Sequence, residues 1–208
     1  MNPDTFEPLD SAGGSAFEDF YRIYVESIAV PEQKTRDQLA AMVERPDYQV
    51  LLARRRGQVV GFSILFLSRE ESFGLLEYMA VEAAQRSGGI GAELFRRSLE
   101  SVGEAPLLVE VDSDRSGDRA INRRRILFYR RLGCRFVEGI SYILPLPSQG
   151  PRPEMDLMIQ ISPAIDRISK STLERWLKVM YRDVYGCRPD DPRIERMLEP
   201  VADPVMLR

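Results

Sequence analysis

The segment LLEYMAVEAAQRSGGIGAELFRRSLE, residues 75–100, joins a predicted strand to a predicted helix through a glycine-containing turn. Residues 75–81 are apolar except for Glu77, which is typical of a strand that is covered on both faces. After Gly91, apolar residues recur near helical spacing among charged residues that can face water. The sequence therefore predicts a buried strand that runs into the N-terminus of an amphipathic helix.

The turn itself, residues 85–92, reads QRSGGIGA. Glycine lets a backbone approach a ligand closely, and the first amides of a helix point outward without a partner inside the helix. Together with the positive end of the helix dipole, these amides favour a phosphate or pyrophosphate group. Glycines alone are equally typical of a plain tight turn, so the turn by itself leaves both interpretations open.

Composition restricts the class of protein. The chain has 208 residues, 44% of them hydrophobic, which is enough for one substantial core and an extension. A net charge of -3 and a pI near 5.3 give no indication of nucleic acid or of an acidic membrane surface as partner. The N-terminal residues lack a signal-peptide pattern, and the longest apolar run, residues 59–67, is too short to span a bilayer. We therefore expect a cytoplasmic protein.

The chain has no histidine and two cysteines, Cys134 and Cys187. Without an export signal, we expect both thiols to be reduced. The absence of histidine excludes Ser-His and Cys-His nucleophile pairs and argues against a transition-metal site. A general base would then be a carboxylate, a tyrosine, a lysine, a cysteine or an ordered water.

A second motif, NRRRILFYRRLGCRF at residues 122–136, follows one predicted strand and one predicted helix further on. With the order Arg86-x-x-Gly89-x-Gly91 after the first strand, it makes residues 5–162 resemble the GNAT family of N-acetyltransferases. In that family an R/Q-x-x-G-x-G/A turn holds the pyrophosphate of coenzyme A, and a tyrosine of the later motif lies near the thioester sulfur. The matching positions are Asn122, Tyr129, Leu132 and Gly133, whereas Arg125 replaces the usual alanine and Cys134-Arg135-Phe136 replaces the usual Gly-Phe.

The resemblance implies an α/β fold of the acyl-CoA N-acyltransferase type, with a mixed central sheet flanked by helices over residues 1–162. Residues 163–208 would be a helical C-terminal extension. The implied cosubstrate is acetyl-CoA, without a metal, and the implied acceptor is an amine of a small molecule or a protein that attacks directly in a ternary complex. Tyr129 would protonate the leaving sulfur. The implied cofactor-binding positions are Met79, Ala80, Val81, Arg86, Ser87, Gly88, Gly89, Ile90, Gly91, Ala92, Asn122 and Tyr129.

Glu77 is the candidate base. Alternation along the strand places it on the same face as Leu75 and Met79, in otherwise apolar surroundings. Desolvation there raises the pKa of a carboxyl group toward the range of a general base. It would take the proton of the amine directly or through a water. An ion pair with an arginine at the sheet edge is the alternative interpretation.

Two carboxylates on the next predicted strand, Glu110 and Asp112, share one face. They would form an acidic wall for a cationic amine, or they would meet solvent or nearby arginines at the strand end.

The remaining pattern predicts strands at residues 5–9, 48–54, 59–67, 73–81, 106–112, 134–146 and 154–161, a loop at 145–153, and helices at 16–29, 35–44, 119–132 and 169–185. The apolar face of the last helix would pack on its own domain, form a homodimer contact or act as a lid. The tail after Pro189 is rich in proline and charge, which predicts less order.

Two other functions are compatible with parts of the sequence. A dinucleotide-binding enzyme also has a glycine turn after a strand, but its third glycine would fall at Leu94, and the Gly-Lys-Ser/Thr of a Walker loop is absent. A non-catalytic acyl-CoA sensor or interaction module on the same fold is the stronger alternative.

Overall fold

The computed structural model describes residues 4–115, 117–145, 154–161 and 165–208. Its strands are β1 (Thr5–Pro8), β2 (Tyr48–Arg55), β3 (Gln58–Ser68), β4 (Phe73–Val81), β5 (Leu107–Asp112), β6 (Arg135–Phe136), β7 (Met155–Gln160), β8 (Arg167–Ile168) and β9 (Val205–Met206). Its helices are α1 (Ser15–Ser27), α2 (Arg36–Glu44), α3 (Ile90–Val102), α4 (Arg119–Arg131), α5 (Lys170–Val179) and α6 (Pro192–Leu198).

The strands form a mixed seven-stranded sheet in the order β1-β2-β3-β4-β5-β7-β6, together with a separate pair, β8 and β9. Within the large sheet, β1 pairs antiparallel with β2, β2 with β3, and β7 with both β5 and β6. Helices flank this sheet, which confirms the predicted fold class. None of the helices in the described ranges has both the length and the apolar composition that crossing a membrane requires.

The chain divides into two compact units. The first unit comprises residues 1–67 and 76–103, and the second unit comprises residues 68–75 and 104–208. This division differs from the domain boundary predicted at residue 162, which stays a prediction.

Aromatic residues dominate the core of the first unit. Phe17, Phe20 and Tyr24 recur on one face of α1 and are fully buried. The Phe20 ring meets the Phe62 ring of β3 edge to face, with 4.9 Å between the ring centres. Edge-to-face pairs of this kind add to the stabilisation from apolar burial. The helical spacing of apolar residues therefore predicted this helix correctly.

Local capping sets the start of α2. The Thr35 side chain accepts a hydrogen bond from the Gln38 amide, and the Gln38 side chain accepts one from the Thr35 amide. This capping box satisfies two amides that have no partner inside the helix. It also orders Thr35, which directly follows Lys34, a residue of the candidate site.

In the second unit, β5 and β7 pair along six residues, and α5 covers part of the apolar surface. The Trp176 ring lies 5.8 Å from the Phe73 ring, centre to centre. Its indole N–H donates to the carbonyl of Glu71 at 3.3 Å. The apolar face of α5 therefore packs at least partly on its own unit, as one of the three interpretations expected. The helix continues through a π-helical turn, Met180–Val184, to Gly186.

The predicted strand at residues 134–146 is wrong in extent. Only Arg135–Phe136 are in a strand, because the backbone turns at Gly139, where φ is 77°. Phe136 instead exchanges backbone hydrogen bonds with Arg208 at 2.5 and 2.9 Å, so the end of the chain takes the place of a local partner. Residue 146 and the predicted loop beyond Pro145 lie outside the described residues.

The prediction that the tail after Pro189 is less ordered is also wrong. Asp191 caps α6 by accepting from the Arg193 amide, and Pro192 occupies the first helical position, where it is tolerated. The tail also supplies β9. Six of its apolar side chains are buried: Ile194, Met197, Leu198, Val201, Val205 and Leu207.

Candidate functional site

The glycine turn lies between β4 and α3. After a short 3-10 turn at Ala83–Gln85, the backbone of Ser87 has φ 69° and that of Gly89 has φ 83°, both in the left-handed region. Gly89 occupies the N-cap position of α3 and provides no side chain to cap the helix. A Cβ placed on Gly89 would meet no atom within 4 Å. The first amides of α3, from Ile90, Gly91 and Ala92, thus follow a residue with open space beside it.

Two arginines flank this turn. The Arg86 Nε donates to the Val81 carbonyl at 3.1 Å, which ties the turn to the end of β4. The Arg55 guanidinium pairs with Asp4 and donates to the Gln85 side chain at 3.0 Å. A Cβ on Gly88 would lie only 3.2 Å from Arg55 Nη1. Gly88 therefore makes room for the Arg55 guanidinium beside the turn.

The other predicted positions on β4 and α3 are partly or fully buried. Met79 and Val81 pack against a small apolar cluster that includes the buried Ile90. The Ile90 side chain thereby anchors the first residue of α3. Ala80 is half-buried between them.

Glu77 is the most unusual side chain of the first unit. It is 2% exposed, and Lys34 Nζ lies 2.8 Å from its Oε1. The Tyr48 phenol also favours the ionised form of Glu77. Burial raises the pKa of Glu77, and the contacts with Lys34 and Tyr48 oppose this rise without cancelling it. The partner is thus a lysine in a buried position, whereas the sequence suggested an arginine at a sheet edge.

Several contacts hold Lys34 in this place. Its backbone amide donates to the Tyr24 hydroxyl at 2.8 Å, and the Tyr78 hydroxyl donates to the carbonyl of Glu32 at 2.8 Å. Lys34 Nζ lies 6.0 Å from the centre of the Tyr78 ring, within reach of a cation–π interaction. Lys34 and Tyr48 were missed because no local spacing links them to Glu77. The capping box that follows Lys34 was the only signal near it.

The second unit contains the later motif. Asn122 is buried, and its side-chain amide donates to the Ser113 carbonyl at 3.0 Å, which holds the connection between β5 and α4. Tyr129 is buried on the same helix, and burial raises the pKa of its phenol. The phenol is therefore neutral and can donate a hydrogen bond. The Cys134 amide returns to the Tyr129 carbonyl at 3.0 Å and closes the end of α4.

The two carboxylates of β5 both have partners within the second unit. Glu110 accepts hydrogen bonds from the hydroxyls of Tyr142 and Tyr185, and Asp112 pairs with Arg125. Tyr185 comes from the C-terminal extension. In the described ranges, no three histidine, cysteine, aspartate or glutamate side chains converge as a metal site would require.

The structure thus groups the predicted positions in two sets. Glu77, the rest of β4 from Leu76 to Val81 and the glycine turn belong to the first unit, and Asn122 and Tyr129 belong to the second unit. Each set is locally ordered by buried contacts.

Comparison with known proteins gives one family. Residues 46–134 match the family model described as the acetyltransferase (GNAT) domain. A curated relative from Azospirillum brasilense, named an IAA acetyltransferase, is 32% identical over 92 residues. This match covers 43% of the chain and 56% of the relative, so the chain spans little more than half of that relative's length.

Solved structures show the same fold. A GNAT-family protein from Bacteroides thetaiotaomicron has a TM-score of 0.73 at 22% identity, covering 88% of this chain and 99% of that chain. A GNAT-family acetyltransferase from Elizabethkingia anophelis, solved with acetyl-CoA bound, has a TM-score of 0.54 at 14% identity, covering 77% and 99% of the two chains.

Proposed function

Residues 46–134 match the acetyltransferase (GNAT) family model, and from this match we propose that the chain transfers the acetyl group of acetyl-CoA to a primary amine. The amine attacks the thioester directly while both substrates are bound. The acceptor belongs to a small molecule or to a protein. The site uses no metal, and we expect the reaction to take place in the cytoplasm.

The observation that carries this proposal is the turn between β4 and α3. A left-handed glycine with open space beside it precedes the unpartnered amides of a 13-residue helix. Such a helix start favours an anion, and Arg86 lies at its edge. We assign the pyrophosphate of coenzyme A to Arg86, Ser87, Gly88, Gly89, Ile90, Gly91 and Ala92. The pantetheine arm would lie along the backbone of Met79, Ala80 and Val81 in the manner of an added strand.

Glu77 is the proposed base. An acceptor amine must be neutral to attack, so one proton has to leave an ammonium group. Burial raises the pKa of the Glu77 carboxyl group, which makes its ionised form a better proton acceptor than an exposed glutamate. A backbone amide near Met79 or Val81 would polarise the thioester carbonyl as negative charge develops on its oxygen.

Tyr129 is the proposed acid, and Asn122 orders its helix. The buried phenol is neutral and would supply a proton to the thiolate that leaves. The role of Tyr129 comes from its position in the family motif, since a buried tyrosine is otherwise a common core residue.

Calorimetric titration with acetyl-CoA tests the proposal, with NADH and ATP as controls. Gly91→Asp places a carboxylate in the first turn of α3, where the helix dipole tolerates it but a phosphate would be repelled. Gly91→Ala is the matched control. We expect micromolar acetyl-CoA binding that Gly91→Asp abolishes and Gly91→Ala retains. Equal binding of NADH, or no acetyl-CoA binding, would contradict the proposal.

Turnover is measured separately, as thiol release in the presence of a panel of amines. Binding of acetyl-CoA without acetyl transfer to any amine would favour the alternative, a non-catalytic acyl-CoA sensor. A homodimer through α5 is an independent prediction, which sedimentation of the full chain checks.

A further inference from the structure

We propose that Lys34 is an acetyl acceptor within the chain, modified by the acetyl-CoA that the same chain binds. This inference rests on the proposed function and deepens it, because it assigns a specific primary amine to the proposed site.

The contact between Lys34 and Glu77 is the contact that an acceptor has to make. A base takes a proton from an amine only when the two heavy atoms are within hydrogen-bond distance. Lys34 Nζ meets this condition at 2.8 Å from Glu77 Oε1, and the Lys34 side chain is still 18% exposed. An amine from the chain itself thus contacts the proposed base as an acceptor amine would.

The proposed thioester position is close to this amine. Glu77 and Met79 share one face of β4, and residues two apart on a strand are separated by roughly 6.5–7 Å. A lysine side chain spans that range by rotating about its own bonds. The backbone of Lys34 does not have to move, and the Tyr24 hydroxyl and the capping box at Thr35 hold it. Such preorganisation raises the effective concentration of the amine at the thioester.

The chain offers an internal comparison because it has only three lysines, Lys34, Lys170 and Lys178. Lys170 Nζ donates to the Val201 carbonyl at 2.9 Å, and Lys178 forms a surface pair with Glu174 at 2.6 Å. Neither of these two amines has a buried carboxylate as its partner. They therefore report the rate of non-catalysed acetylation on the same molecule.

The chemistry balances without any further reactant. The Lys34 ammonium gives one proton to the Glu77 carboxylate, and the nitrogen lone pair attacks the thioester carbon. A nitrogen–carbon bond forms, the carbon–sulfur bond breaks, and the thiolate takes up a proton. The products are acetylated Lys34, the free thiol of coenzyme A and one proton released to solvent.

The test is incubation of the full chain with acetyl-CoA that carries an isotopically labelled acetyl group, followed by peptide mass spectrometry. We expect Lys34 to be labelled at least about tenfold faster than Lys170 and Lys178, since its amine is preorganised. The rate should not change when the protein is diluted, because the reaction is intramolecular. Glu77→Gln should reduce labelling at Lys34 to the rate of the other two lysines.

Titration of the same preparations with acetyl-CoA tests the proposed function separately from the proposed acetylation of Lys34. If acetyl-CoA binds and external amines are acetylated, but the three lysines are labelled equally, the inference about Lys34 is overturned and the proposed function stands. Labelling that rises with protein concentration, or that Glu77→Gln leaves unchanged, overturns it as well. If acetyl-CoA does not bind, both are overturned. Gly91→Asp, used as before, should abolish the labelling of Lys34.

Discussion

Replacing Lys34 by methionine should destabilise the protein in a pH-dependent way. Methionine keeps most of the apolar length of the lysine side chain and removes its charge. Glu77, which is 2% exposed, then loses the ammonium group 2.8 Å away. The carboxyl group has two responses: it remains ionised without a counter-charge, or it binds a proton.

The response with the lower free-energy cost determines how much the free energy of unfolding decreases. An ionised group left unpaired in the interior costs about 3–5 kcal/mol. Protonating a carboxyl group of ordinary pKa 4.5 at pH 7 costs about 3.4 kcal/mol, at 1.36 kcal/mol per pKa unit. Burial already raises the pKa of Glu77, so the cost of protonation is lower. We therefore expect Lys34→Met to lower the free energy of unfolding by about 1–3 kcal/mol at neutral pH.

The sign of the pH dependence follows from proton linkage. In Lys34→Met, the folded-state pKa of Glu77 rises further above its unfolded-state value, so the folded state binds more protons. The stability associated with this group is present below the unfolded-state pKa and is lost as the pH rises through the folded-state pKa. The loss in free energy of unfolding, relative to the wild-type protein, should accordingly be small at about pH 5 and large at about pH 8.

Urea denaturation at these two pH values measures the effect. Lys178→Met is the matched control, because Lys178 pairs with Glu174 on the surface, and it should change stability by no more than about 0.5 kcal/mol. The double substitution Lys34→Met with Glu77→Gln should recover most of the loss, since no buried charge is left. A loss for Lys34→Met that is as small as the control, or equal at both pH values, would refute the reasoning.

Three shorter predictions concern other sites. Tyr129→Phe should lower kcat by about 100-fold, because general acid catalysis is lost, and leave acetyl-CoA affinity within about twofold; unchanged turnover in a thiol-release assay would exclude the role. Burial raises the pKa of the Cys134 thiol to about 12, so iodoacetamide should alkylate the half-buried Cys187 at neutral pH well before Cys134, as peptide mass spectrometry would show. Trp176→Ala should lower the free energy of unfolding by about 3–5 kcal/mol, because the ring packs on Phe73, and denaturation with an unchanged midpoint would contradict this.

The parts of the fold that were predicted correctly are those that local signals determine. Residues 73–81 form β4 as expected, and α3 begins at Ile90, directly after Gly89. Apolar runs, helical spacing and glycines act over a few residues, so a single sequence contains them in full. The family match and the fold then agree with the motifs that suggested the acetyltransferase interpretation.

The parts that were missed depend on distant partners. Residues 136–138 form backbone hydrogen bonds with the end of the chain and with Leu157, which no local pattern specifies. The order of the tail comes from burial of its scattered apolar residues, although its proline and charge content suggested the opposite. Glu77 was identified by its apolar neighbours in sequence, but its counter-charge lies in the connection between α1 and α2.

The stability of the Lys34 pair and the proposed acetylation of Lys34 are linked, because acetylation removes the same charge that methionine removes. If Lys34 accepts an acetyl group, the labelled chain should lose stability with the same sign and pH dependence as Lys34→Met. Lys34→Arg separates the two properties, since arginine keeps the charge and has no amine to acetylate. We expect Lys34→Arg to retain most of the stability and to show no labelling at position 34. Denaturation of fully labelled and unlabelled chains at both pH values provides the measurement. A labelled chain as stable as the unlabelled one would mean that the buried carboxylate does not depend on the charge of Lys34.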